Sequence, residues 1–140
     1  MLGTLRKLRP SAYNLAMSSP RDRIELAKRE LGKAQVAAID PVDWLDVALY
    51  SFYALENAVA AGGDLEGISW KRTHDSKIEV AQELHQRLGL PDVSDLLRDL
   101  NELRKSESYG EIRPPVSRSA EDIVGEVEEY VGELERRLPE

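Results

Sequence analysis

The chain has 140 residues, a mass of 15.7 kDa and a formal net charge of −7, with 41% hydrophobic and 32% charged residues. That length supports one domain, able to bury roughly 70% of its unfolded surface without help from a metal or a disulfide. The absence of cysteine excludes disulfides, thiolate metal sites, iron–sulfur clusters and cysteine nucleophiles, and two histidines are too few for a His-rich metal centre.

Residues 1–33 carry a local charge of +5, residues 34–118 carry −6 and residues 119–140 carry −6. A basic edge on an acidic protein can meet phosphate or an acidic partner, although charge blocks on helices are most simply solvated faces. The first twenty residues contain Arg6, Lys7 and Arg9 and no acid, a bias that resembles a transit peptide. No apolar run follows that would make a secretory signal, and none approaches the roughly 18 residues that span a bilayer. The expectation is a soluble, cytoplasmic protein with an N-terminal arm over residues 1–18, no membrane association and a helical domain over 19–140.

Helical periodicity recurs along the chain, with proline and glycine at its breaks. A first helix is predicted from Ser19-Pro20, a cap followed by proline at the first helical position, with the stripe Ile24, Ala27, Leu31, Ala34 and Ala38. It should stop at Asp40-Pro41, because the residue before proline is pushed out of the α region. A second, from Val42 to Ala61, is apolar almost all round, which marks a central helix with Trp44 in the core. Gly62-Gly63 should end it, and a loop containing Trp70, Lys71 and Arg72 follows. A third is predicted from Thr73 to Leu88, with His74, Ile78, Ala81, His85 and Leu88 on its apolar stripe. Gly89-Leu90-Pro91 breaks it. A fourth, Asp92 to Ser108, packs Val93, Leu96, Leu97, Leu100 and Leu103. A fifth, Ser119 to Leu138, opens on Ser119-x-x-Asp122, a capping-box spacing. No β-branched alternation competes. The fold class is all-α: four or five antiparallel helices in an up-and-down bundle.

The residue that does not fit its place is Arg104. At 100° per residue it lies about 45° from the centre of the fourth helix's apolar stripe, whereas Lys105 lies nearly opposite. An arginine there either snorkels to solvent, where it also suits the helix dipole, or meets an anion or partner. His74 and His85 are eleven residues apart, about 16 Å along one helix, so they cannot share a ligand. His74, near a helix start, can sit beside an anion or simply cap the helix; His85 reads as a core or seam residue. Gly62-Gly63-Asp64-Leu65-Glu66-Gly67 lacks the Lys-Ser/Thr and the flanking strand of a phosphate cradle. Asp92, Asp95 and Asp99 lack a second histidine-bearing helix, so neither a metal nor a cofactor is expected.

The segment Leu100-Asn-Glu-Leu-Arg104-Lys-Ser-Glu-Ser-Tyr109-Gly110 closes its bundle as the signature helix of HEPN domains does. Residues 50–61, rich in aromatics and alanine, resemble the long central helix of that superfamily, and Trp70-Lys-Arg-Thr-His74-Asp-Ser76 resembles the stretch that opens its next helix. The resemblance covers roughly residues 20–138. It implies a homodimeric helical bundle, and a ribonuclease that cuts RNA without metal through an Arg-x(4–6)-His motif, a catalytically silent partner of a nucleotidyltransferase in a toxin–antitoxin or defence module, or a plain binding domain. Only the arginine of that motif carries over, onto Arg104. Where the histidine would fall stands Tyr109, whose ordinary pKa near 10 makes it a poor general base beside a histidine near 6.5.

The function expected from these readings is therefore recognition rather than catalysis. Arg104, with Tyr109, Lys105 and the loop residues Trp70, Lys71 and Arg72, would present a cationic cleft to RNA or to a nucleotidyltransferase-type partner. Two copies would meet across a homodimer seam containing Val93, Leu97 and Leu100. The alternative is a ribonuclease in which Arg104 stabilises charge and Tyr109, Glu107 or His74 handles protons; the third is a structural adaptor whose Arg104 only snorkels.

Overall fold

The computed structural model describes residues 19–106, 114–115 and 118–139. Among these the protein is all helical, with α1 over Pro20–Ala37, α2 over Trp44–Leu65, α3 over His74–Leu88, α4 over Ser94–Ser106 and α5 over Ala120–Arg136. None of these helices is long and apolar enough to cross a membrane.

Local chemistry starts and stops the helices. The Ser19, Asp43 and Thr73 side chains accept hydrogen bonds from the backbone N–H groups of Asp22, Asp46 and Ser76, which satisfies donors that a helix start leaves free. Ser119 and Asp122 form the expected reciprocal capping box at α5. Gly89, at φ 71°, closes α3 in the left-handed conformation that a side chain would resist. At α4 the expected start slips by two residues. Asp92 stays outside the helix, where its Oδ1 accepts from both the N–H and the hydroxyl of Ser94.

Residues Gly62 and Gly63 do not end α2; they lie inside it, buried. A Cβ at Gly62 would stand 2.6 Å from Leu84 Cδ1 and 2.9 Å from Leu134 Cδ1, and one at Gly63 would stand 3.0 Å from Trp70 Cδ1. The two glycines let α3, α5 and the Trp70 loop close onto α2. That packing outweighs the roughly 1 kcal/mol per residue by which glycine disfavours a helix.

Contacts between helices give the topology. α1 runs antiparallel to α2, with Arg23 at its start paired to Asp64 near the end of α2 at 3.1 Å. It also runs antiparallel to α5, through Lys28 to Glu135 at 2.7 Å and Arg21 to the Pro139 carbonyl at 2.9 Å. α3, however, runs in the same sense as α2: His74 lies beside Glu56, Leu84 against Gly62, and Arg87 donates to the Glu66 carbonyl. Residues 66–73 return along α2 to allow this.

The core comprises the apolar stripes of all five helices around α2, including Val47, Leu55, Val59, Leu84, Leu97, Val127 and Leu134. Two expectations change here. Trp44, at the first position of α2, is half-buried at the edge of the core rather than inside it. Val93, Leu97 and Leu100 are at most 4% exposed within a single chain, packed by their own protomer, so they cannot supply a dimer seam.

Candidate functional site

Arg104, two residues from the end of α4, points inward across the first half of α2. Its guanidinium carbon stands 4.7 Å from the centre of the Phe52 ring, within cation–π range. Its Nη2 donates to Asn101 Oδ1 at 2.9 Å, while its Nε is buried with no acceptor among the described residues. A buried donor left unpaired costs about 1–3 kcal/mol. Among the described residues Asn101 is its polar partner, and an amide does not neutralise a guanidinium.

Phe52 carries a second group. The His74 imidazole lies 5.4 Å from its centre, so guanidinium and imidazole stand no more than about 10 Å apart around one ring. His74 is the first residue of α3, brought to α2 by the returning segment 66–73. Its Nδ1 faces Glu56 Oε2 at 3.4 Å, and Lys77 Nζ faces the other Glu56 oxygen at 3.5 Å. A carboxylate only accepts, so Nδ1 carries the hydrogen and the basic lone pair of neutral His74 falls on Nε2. Glu56 thereby orients a histidine and holds a lysine, one turn along α2 from Phe52.

Trp70 is turned inward and half-buried. Its Nε1 donates to Asp64 Oδ1 at 2.9 Å, with Arg23 4.8 Å above the ring and Lys77 5.5 Å from its centre. Lys77 thus joins the Trp70 clamp to the Glu56–His74 pair. Lys71, Arg72 and Lys105 are exposed, the first two on the segment that leads into His74. His85 is exposed rather than core, and its Nδ1 donates to the Leu90 carbonyl at 2.7 Å, closing the turn after α3. Tyr109 and Glu107 lie outside the described residues.

The arrangement therefore joins Arg104 and His74 through Phe52, a residue that sequence reading did not single out, together with Asn101, Glu56 and Lys77. Weak signals existed: Asn101 precedes Arg104 by three residues, Lys77 follows His74 by three, and Phe52 and Glu56 are four apart, so each pair shares a helix face. Nothing in the sequence indicates that the three faces converge. Chemically, the cluster places one guanidinium and one imidazole around the Phe52 ring, with Glu56 beside the imidazole and Lys77 on the far oxygen of Glu56.

No protein-family model, no curated protein and no solved structure matches the chain.

Proposed function

We propose that this protein is a HEPN-like helical-bundle domain that recognises phosphate groups of RNA through Arg104. The observation that supports this reading most is the state of Arg104 itself: held over Phe52 and, among the described residues, bonded only to the neutral Asn101, with a buried Nε lacking an acceptor. An arginine retained only for packing would be expected to have a carboxylate partner or to extend into water. A phosphate would supply the negative charge that the guanidinium lacks among the described residues. The exposed Lys71 and Arg72, on the segment that leads into His74, add positive charge near its end of the cluster, against an otherwise acidic protein.

A second reading, a metal-independent ribonuclease, is favoured by one observation: the His74 imidazole and the Arg104 guanidinium lie against the same Phe52 ring. In that reading Arg104 stabilises the charge of the phosphorane and His74 Nε2, oriented by Glu56, exchanges the proton.

Fluorescence anisotropy with a labelled RNA oligomer, across a salt series, tests the first reading. Arg104→Ala should weaken binding at least tenfold, about 1.4 kcal/mol, and flatten the salt dependence. Equal affinity of wild type and variant removes it. Cleavage of the same RNA in EDTA, abolished by His74→Ala, would establish the second. If the protein ignores RNA but binds a nucleotidyltransferase in an Arg104-dependent way, the site serves a protein partner instead.

A further inference from the structure

Among the described residues only one Phe, Tyr or Trp side chain is exposed: Tyr53, at 39%. Trp44, Tyr50 and Trp70 are half-buried, and Phe52 and Tyr130 lie in the core. Tyr53 follows Phe52 on α2, about 100° further round the helix, so Phe52 turns into the bundle and Tyr53 out of it. The two rings still meet, with centres 6.0 Å apart and planes tilted by 48°. Phe52 also carries the Arg104 guanidinium at 4.7 Å and the His74 imidazole at 5.4 Å. Tyr53 and that guanidinium therefore stand no more than about 11 Å apart across one shared ring. Glu56, the carboxylate three residues further along α2, faces Lys77 and His74, so its charge is taken up inside the cluster.

We infer that Tyr53 is the platform on which a nucleobase stacks when Arg104 holds a neighbouring phosphate of the same strand. The inference rests on the reading of Arg104 as a phosphate contact, and it adds what a phosphate contact alone cannot give. Such contacts fix where a strand lies and carry no information about its bases. An exposed ring beside a fixed cation supplies the second half, because every base has a π-face that can stack on an aromatic side chain. A base inside a duplex is already stacked on its neighbours, so Tyr53 can take one only where the strand is unpaired. Tyrosine suits the task, since it offers a large rigid face and has few rotamers to lose. Phe52 behind it restricts its swing, so the platform is set before the ligand arrives. A single exposed apolar side chain is ordinary on a protein surface. What sets Tyr53 apart is that the one exposed aromatic touches the ring that holds Arg104 and His74.

Fluorescence anisotropy on the full chain with two labelled probes separates base from backbone: an oligouridylate, and the same ribose–phosphate strand with its bases removed. Tyr53→Ala should weaken oligouridylate binding about tenfold and leave the affinity for the abasic strand unchanged. Tyr53→Phe, which keeps the ring, should recover the loss, whereas Tyr53→Leu, apolar without a π-face, should not. Arg104→Ala should weaken both probes, since both carry the phosphates. Helical circular dichroism matching wild type establishes that each Tyr53 variant is folded, as expected for a side chain on the open side of α2. Three results overturn the inference while an Arg104→Ala effect leaves the phosphate reading standing: Tyr53→Ala that binds oligouridylate as wild type does, a loss of equal size on both probes, or a loss that Tyr53→Leu repairs. If Arg104→Ala changes the affinity for neither probe, the phosphate reading fails and this inference falls with it.

Discussion

The two halves of α2 are built on opposite principles. From Ala58 to Gly63 every residue is buried, and the residues are Ala, Val, Ala, Ala, Gly and Gly. Small side chains let α3 and α5 both close onto Gly62, through Leu84 and Leu134, and geometry leaves no freedom for chemistry. From Trp44 to Asn57 the same helix keeps an open side with Leu45 and Tyr53 exposed, and large or charged residues there, Phe52 and Glu56, hold Arg104, His74 and Lys77. The dense half specifies the fold by size; the open half positions charge. Substitutions should therefore act on stability in one half and on recognition in the other.

The sharpest test of that division is Gly62→Leu. With neighbours already 2.6 and 2.9 Å from where its Cβ would stand, overpacking should cost about 3 kcal/mol or more, a fall in melting temperature of roughly 10 °C. Gly125→Ala is the contrast: it lies in α5 with nothing within 4 Å of its Cβ position, and should raise stability by up to about 1 kcal/mol through helix propensity. A mild Gly62→Leu phenotype would break the comparison.

Arg104→Ala comes next. On sequence alone Arg104 is an edge residue whose loss leaves stability nearly unchanged. Its stacking on Phe52 and its bond to Asn101, which is 6% exposed and would be left unpaired, raise the expected cost to about 1–2 kcal/mol. Chemical denaturation should show this as a shifted midpoint with an unchanged slope. Arg104→Lys, which keeps the charge but not the planar fork, should recover part of the RNA affinity and little of the stability.

Smaller effects sharpen the dense half. Tyr130 is fully buried and its hydroxyl has no partner among the described residues; burial first, and the charge of Asp92 second, hold its pKa above the usual tyrosine value. Tyr130→Phe removes the unpaired hydroxyl and keeps the ring, so it should stabilise by up to about 1 kcal/mol, read as a higher urea midpoint. The smallest concerns pH. Asp92 titrates below its ordinary 3.8 because the Ser94 hydroxyl, and then the Ser94 N–H, donate to its carboxylate, against some desolvation. A depressed folded-state pKa gives stability that is present above the unfolded value and is lost as pH falls through the folded one. The melting difference between wild type and Asp92→Ala should be full at pH 6 and fade below about pH 4; a difference independent of pH would assign the effect to the backbone.

Much of the fold was legible because helix starts and stops are written in short-range chemistry: Ser19-Pro20, Thr73, Gly89 and Ser119-x-x-Asp122 each act over three or four residues. What was not legible depends on neighbours distant in sequence. Gly62-Gly63 has the local signature of a helix stop and lies inside a helix, because Leu84 and Leu134 need the room. His85 has the periodicity of a core position, yet bonds the Leu90 carbonyl from an exposed place at the helix end. Arg104 stood out by its angle, but its ring partner lies 52 positions earlier, and the histidine beside that ring arrives only because α3 runs in the same sense as α2.

That shared direction makes residues 66–73 a spacer whose length is felt elsewhere. The chain must climb back from the level of Glu66 to that of Glu56, about 15 Å along α2, before α3 can begin at His74. Eight residues can extend to roughly 26 Å, and Trp70, gripped by Arg23, Asp64 and Lys77, takes up the difference as a fixed peg. Shortening the spacer by three residues would draw it nearly taut, pull Trp70 off its peg and slide His74 along Phe52. Added residues ahead of Trp70 could loop out while the peg keeps the imidazole in register. Length variation among related chains, or inserted tags, should accordingly be tolerated on one side of Trp70 and resisted on the other.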